Sequence, residues 1–173
     1  MNKKIPEHWE LDKIEALLNE KLPHKERQEF ASQILGTIIH ILGKYLIKIH
    51  GYSTLSTVLK REMRELGKKN ARMLKNLFGI NETTEENVKT ILNVAAIILG
   101  LKLGLRDGKK VVAVSCPFYE TLKKFNEPFM CNACMEYNNG IVEELIGDKF
   151  EVKREKWLFN KDGCCVYGIV RKT

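Results

Sequence analysis

The residues with the clearest chemical potential are five cysteines, all of which lie in the last third of the 173-residue chain. Cys131 and Cys134 are three residues apart, Cys164 and Cys165 are adjacent, and Cys116 precedes a proline. Residues three apart on a helix share one face, so Cys131 and Cys134 can bind one metal ion together. Any thiol chemistry is therefore concentrated in this region.

The remaining ligands of such a metal site have to come from the last strand of the chain. Successive strand residues face opposite sides, so only one of Cys164 and Cys165 enters a site easily. We favour Cys165, because the following pattern places Tyr167 and Ile169 on the same face. Three sulfurs with Glu155 or Cys116 complete a tetrahedral zinc site, so we predict the metal ligands Cys131, Cys134, Glu155 and Cys165.

Two other roles for the cysteines remain open. The amino terminus of a helix lowers a thiol pKa, which would make Cys131 a redox or nucleophilic group. Buried cysteines also pack as small apolar residues without any chemistry. The spacing differs from the double CxxC of a zinc ribbon. Because we predict a cytoplasmic protein, reduced thiols are expected rather than disulfides.

The carboxyl-terminal part of the chain resembles the 4-vinyl-reductase domain, a family of hydrocarbon-binding and sensing modules. The resemblance covers about the last 60 residues and rests on Phe129-Met130-Cys131, Tyr137, Gly140, Gly147, Glu155 and Cys165. It implies a dimeric α+β fold with a ligand cavity between helices and sheet. It also implies a zinc site at Cys131, Glu155 and Cys165. The family's further cysteine falls on Leu158, so Cys134 or Cys164 would substitute for it.

A second resemblance is to the L-2-amino-thiazoline-4-carboxylic acid hydrolase family. It rests on Cys116-Pro117, Cys134, Phe150 and the closing Gly163-Cys-Cys-x-Tyr. It implies a hydrolase that opens a small ring with water, with a cysteine nucleophile or a metal-bound water. Cys116 is the catalytic candidate under this alternative. No histidine follows His50, so a histidine base would have to come from the helical half.

Three residues are candidates for lining a pocket for a small hydrophobic or aromatic ligand. His40 lies among isoleucines on a long helix, and Tyr137 and Trp157 supply aromatic surface near the cysteines. Each is equally well explained by packing in the core.

Charge and hydropathy limit the classes of partner. The net charge is +7, and Lys60–Lys75 alone carries seven basic residues against two glutamates. No nucleic-acid motif accompanies this segment, so we interpret it as a solvated helix face rather than a nucleic-acid interface. The apolar stretches Ile34–Ile49 and Val94–Leu105 contain lysines and are shorter than the ~20 residues of a membrane span. We expect no membrane association.

The elements that would position these groups change character at Gly104. Residues 1–103 have helical periodicity, which predicts five helices: Glu7–Glu20, His24–His50, Ser53–Leu66, Lys68–Phe78 and Thr84–Gly100. Gly67 is expected to end the third, and Thr83 to cap the fifth. The long helix is apolar on several sides, with Gly36 and Gly43 allowing close approach, so we predict a homodimer through Lys25–Ile49.

Residues 104–173 alternate in the manner of strands. The patterns predict strands at Leu101–Arg106, Lys109–Ser115, Phe150–Phe159 and Cys165–Ile169, with helices at Phe118–Phe125 and Cys131–Ile146. The expected architecture is one α+β domain, with an amino-terminal helical layer on a small, mainly antiparallel sheet.

We expect a non-enzymatic ligand-binding or sensing module with a structural zinc. A small-ring hydrolase and a partner-binding structural protein are the alternatives.

Overall fold

The computed structural model has an α+β architecture, as predicted. It describes Glu20 and residues 24–104, 110–119, 123 and 128–172. Within these residues the elements, in chain order, are α1 (His24–His50), α2 (Tyr52–Leu77), α3 (Glu85–Ile98), β1 (Lys102–Gly104), β2 (Val111–Ser115), α4 (Phe129–Ile146), β3 (Phe150–Lys156) and β4 (Cys165–Arg171). The predicted helix Glu7–Glu20 lies outside the described residues except for its last residue, and Phe118–Phe125 lies mostly outside them.

The third and fourth predicted helices, Ser53–Leu66 and Lys68–Phe78, were expected to be separate, but residues 52–77 form one helix. Gly67 does not end a helix: it is buried in the middle of α2. A Cβ at Gly67 would collide with the backbone carbonyl of Tyr137, and a Cβ at Gly140 with that of Arg64. The two glycines thus mark the point where α2 and α4 cross with their backbones in contact. Glycine is needed at position 67 because the backbones of α2 and α4 touch there, and not because the chain turns.

Two helix ends follow local rules. Gly51 separates α1 from α2 with φ of 81° and ψ of 155°, a backbone conformation that glycine adopts readily and other residues rarely do. The amino terminus of α3 is capped by Thr84, not by Thr83, because the Thr84 side chain accepts a hydrogen bond from the Asn87 amide at 3.2 Å. The predicted start was therefore one residue early.

The four strands form an antiparallel sheet in the order β1-β2-β4-β3. The predicted strands Leu101–Arg106 and Lys109–Ser115 correspond to β1 and β2, which pair in antiparallel fashion, while residues 105–109 between them lie outside the described chain. β3 and β4 form a second hairpin, whose connection contains a 3₁₀ turn at Leu158–Asn160 and positive φ angles at Lys161 and Gly163. Register shifts between Arg154 and Lys156, which leaves Glu155 as the extra residue of a β-bulge.

The core lies between the sheet and α3 and α4, and α2 packs on the far side of α4. Its centre consists of residues that are almost fully buried, among them Ala71, Leu74, Val88, Ile91, Ala113, Ile141 and Val142. The α4 helix is thus the middle layer between α2 and the sheet, and Cys131 and Cys134 lie near Cys165 of β4. The predicted packing of amino-terminal helices on the sheet is confirmed, with α3 in direct contact with β1 and β2.

α1 packs on the rest of the molecule through small residues. A Cβ at Gly36 would come within 2.7 Å of the Phe118 ring, and one at Gly43 within 2.8 Å of the Phe129 ring. Both glycines therefore make room for aromatic rings of the same chain, not for a second helix. The stretch Glu26–His50 is long and apolar enough to cross a membrane by length and composition alone, with a mean hydropathy of 1.4.

Candidate functional site

Four of the five cysteines come together from three elements. Cys116 directly follows β2, Cys131 and Cys134 lie in the first two turns of α4, and Cys165 begins β4. Each of the six pairs among these four thiols is close enough for a negative charge on one to raise the pKa of another. We refer to Cys116, Cys131, Cys134 and Cys165 as the thiol cluster. The strand β4 presents Cys165, Tyr167 and Ile169 to the core, as the sequence pattern predicted.

Burial favours the protonated form of three thiols in the cluster, Cys116, Cys131 and Cys134. Desolvation raises the pKa of both Cys116 and Cys134 to about 12 and is also the main cause of the raised pKa of Cys131. The Cys165 sulfur accepts a hydrogen bond from the Leu158 amide at 3.3 Å. A neutral thiol is a poor nucleophile, so the cluster as it stands does not have the low-pKa environment of a reactive cysteine.

One cation lies beside the cluster. The Arg154 guanidinium sits 3.8 Å from the centre of the Trp157 ring, and its positive charge lowers the pKa of Cys131 and Cys134 against the effect of burial. Hydrogen bonding by the Trp157 side chain also lowers the pKa of Cys131. Sequence analysis missed Arg154, although strand alternation places it on the same face as the buried Val152. This cation would offset part of the charge of ionised thiols.

Glu155, a predicted metal ligand, is directed elsewhere. It is exposed, and its carboxylate pairs with the Lys110 ammonium at 2.6 Å. The Glu155 carboxylate of this ion pair lies over Gly168 of β4, where an added Cβ would be 3.4 Å from it. Glu155 is the extra residue of the bulge, and its carboxylate is engaged by Lys110.

The predicted metal site is therefore only partly assembled. Cys131, Cys134 and Cys165 are neighbours and Cys116 joins them, but Glu155 does not. Within the described ranges no three histidine, cysteine, aspartate or glutamate side chains are arranged to hold a metal ion. The soft thiol donors suit zinc chemically, whereas their present spacing does not close around an ion.

The three predicted ligand-lining residues are not brought together. His40 is fully buried with its ring 5.3 Å from that of Phe129, between α1 and α4. Tyr137 is buried and its hydroxyl accepts a hydrogen bond from Asn70 at 3.0 Å. Trp157 packs against Arg154 and Phe159. Each occupies a different interface, and none lines the cavities described below.

A cavity of about 290 Å³ opens beside Cys116. Its lining comes from α1, from the end of α3 with β1, and from the end of β2: Glu29, Gln33, Gly100, Lys102, Val114, Ser115, Cys116, Pro117, Tyr119 and Leu158. The Lys102 ammonium and the Glu29 carboxylate form an ion pair at 3.2 Å in this wall. The cavity thus combines both signs of charge, hydroxyl groups and one thiol of the cluster.

The space between helices and sheet is nearly full. A narrow cavity of about 20 Å³ remains among Leu92, Val111, Cys134, Val152 and Tyr167. This volume holds about one water molecule. The predicted apolar ligand would not fit there unless the core opened.

Three of the seven basic residues in the segment Lys60–Lys75 form ion pairs with α4. Arg64 pairs with Glu136 at 2.6 Å and Lys68 with Glu143 at 2.7 Å, and Arg72 reaches Glu144 at 3.1 Å. These ion pairs connect α2 to α4, and the absence of a nucleic-acid partner stays a prediction.

No family model, curated protein or solved structure matches the chain significantly. The two family resemblances therefore stay predictions. The features of the molecule that bear on its function are the thiol cluster and the cavity beside Cys116.

Proposed function

We propose that this protein is a small-molecule-binding module whose ligand occupies the cavity beside Cys116. The observation that supports this most is that the cavity approaches the size of typical ligand sites and is lined by convergent polar groups. Its walls come from separate elements, so occupation would be coupled to how those elements pack. That coupling is what a sensing module needs.

The lining favours a small polar ligand rather than the apolar one that the sequence suggested. The Glu29–Lys102 ion pair can exchange its internal contact for contacts with a ligand that carries opposite charges. Ser115 and Tyr119 add hydroxyl groups, and Gln33 adds an amide. An uncharged aromatic hydrocarbon would leave these groups without partners.

The hydrolase alternative would use Cys116 as nucleophile in the same cavity. Burial raises the pKa of Cys116 to about 12, and no histidine is among the residues that line the cavity. A base or a bound substrate would have to lower that pKa before attack. We therefore favour binding over catalysis.

Ser115→Phe, which fills the cavity, tests the proposal. We expect native mass spectrometry to detect a co-purified small molecule on the wild type that this variant lacks. Lys153→Phe, on an exposed position of β3, is the matched control and should retain it. In ligand-free protein, N-ethylmaleimide should label Cys116 at least tenfold more slowly in Ser115→Phe than in Lys153→Phe. Equal labelling in the two variants would argue against the cavity as the binding site.

The mutual proximity of the four thiols favours zinc binding as a second candidate function. Zinc would displace the thiol protons, and Arg154 would balance part of the resulting charge. Because the thiols do not enclose an ion as arranged, metal binding has to draw them closer together. Emission spectroscopy of purified protein should then find zinc in the wild type and in Cys164→Ser, and much less in Cys131→Ser. Equal zinc in both variants, or none in the wild type, would contradict this role.

A further inference from the structure

Among the described residues, α1 exposes more large apolar side chains than any other element. Nine large apolar side chains on this one helix are 41–70% exposed: Phe30, Ile34, Leu35, Ile38, Ile41, Leu42, Tyr45, Leu46 and Ile49. At 100° per residue they span an arc of about 160°. We call this set of nine residues the outer face.

The opposite side of the same helix already has its partner. Gly36, His40 and Gly43 are buried there against the body of the molecule. α1 is therefore fixed on one side by small residues and presents its large apolar residues on the other. An exposed surface of this kind marks an interface with another protein or with a membrane.

The spacing of the outer face fits another helix. Leu35, Ile38, Leu42, Tyr45 and Ile49 are separated by three, four, three and four residues. This is the alternation of a coiled-coil seam, in which each side chain packs between four residues of a facing helix. The lysines of this stretch, Lys44 and Lys48, lie at one edge of the outer face and not in the seam.

The available area is enough for a dimer. If half of each large side chain contributes on the order of 80 Å², the outer face offers on the order of 700 Å². Stable interfaces bury about 800 Å² per partner. Two copies of one seam can satisfy each other by a two-fold axis, which is the commonest symmetry of soluble oligomers.

We propose that the outer face of α1 docks on the outer face of a second copy of this chain, forming a two-helix seam. We favour a facing helix over a lipid surface because the three–four spacing of the seam matches a second helix, whereas binding to lipid requires no such spacing. The proposal does not depend on the ligand cavity. A failed cavity test and a failed dimer test are therefore distinguishable.

Leu42→Glu places a charge in the middle of the seam, and Met73→Glu places the same charge on α2. The two side chains are equally exposed in one copy, 56% and 55%, so solvation of the monomer is matched. Light scattering with size exclusion at micromolar concentration should give twice the chain mass for the wild type and for Met73→Glu. For Leu42→Glu it should give the monomer mass, with dimer affinity lowered at least 100-fold.

A second variant, Ile38→Ala, keeps the test valid if Leu42→Glu fails to fold. It should weaken the dimer about tenfold while the circular dichroism spectrum stays that of a folded protein. A wild type that is monomeric at 50 micromolar would overturn the proposal. So would equal dissociation by Leu42→Glu and Met73→Glu, or wild-type protein that is monomeric in solution and bound to phosphatidylcholine–phosphatidylglycerol vesicles.

Discussion

α1 and α4 are both rich in apolar residues, yet the fold uses them in opposite ways. α4 buries Phe129, Ala133, Tyr137, Ile141, Val142 and Leu145 between the sheet and α2. α1 buries two glycines and one histidine and leaves its large apolar residues exposed. Apolar content alone therefore does not predict burial. What decides it is whether an element elsewhere in the chain faces the helix.

The two helices also differ in how closely they approach their neighbours. α4 meets α2 backbone to backbone at Gly67 and Gly140, whereas α1 meets aromatic side chains at Gly36 and Gly43. A backbone cannot yield to an added methyl group, but a ring can rotate or shift. The α2–α4 contact is therefore expected to be the more rigid of the two.

The largest effect should come from Gly67→Ala. Its Cβ would overlap the Tyr137 carbonyl, so α2 and α4 have to separate, and we expect a loss of about 3 kcal/mol or more in the free energy of unfolding. At Gly43 the same change meets only the Phe129 ring and gains helix propensity, so the net loss should be within about 1 kcal/mol. Urea unfolding compares the two. Equal losses would remove the distinction between the two contacts.

Isoleucine truncation measures burial directly. Ile141→Ala on α4 removes a fully buried side chain and should cost about 2–5 kcal/mol. Ile38→Ala on α1, measured below the concentration at which copies associate, should change stability by no more than about 0.5 kcal/mol. A similar loss at both positions would show that α1 is covered within a single chain.

The dependence of stability on pH in alkaline solution tests whether the thiols on α4 are desolvated. The pKa of Cys134 is about 12 in the folded protein against an ordinary value of 9.0, so unfolding releases its proton between these values. Stability should thus fall as pH rises from 9 toward 12, by about 1.4 kcal/mol per pH unit for each such thiol. Cys134→Ala should reduce this slope relative to the wild type, and Cys164→Ala should not. Identical slopes in all three proteins would contradict the assignment.

The smallest effect concerns the ion pairs between α2 and α4. Hydrogen bonding to Lys68 is the main cause of the lowered pKa of Glu143, so this pair stabilises the fold above pH 4.5 and is lost as pH falls below it. Glu143→Gln should cost about 0.5 kcal/mol at pH 7 and less at pH 3. Glu62→Gln, which affects an exposed pair with the adjacent Arg61, is the control and should have a smaller effect. Thermal unfolding at the two pH values distinguishes them.

The fold class and most of the elements follow from the sequence pattern alone. β-branched content located β2, alternation located β4, and 3.6-residue periodicity located α1, α3 and α4, because the periodic patterns reflect which face of each element is apolar. The alternation in β4 also selected Cys165 over Cys164. Local chemistry was sufficient wherever a glycine with positive φ ended an element, as at Gly51 and Gly147.

The roles of Gly67 and Glu155 depend on tertiary contacts: Gly67 lets two helices touch, and Glu155 pairs with Lys110. A glycine that ends a helix and a glycine that lets two helices touch look the same in one sequence, since the difference lies in a residue 70 positions away. Glu155 points to Lys110 because a bulge shifts the register, and a bulge has no clear sequence signal. In the same way, the sequence showed that α1 is apolar on several sides. The packing of its glycines then established which of those sides stays exposed.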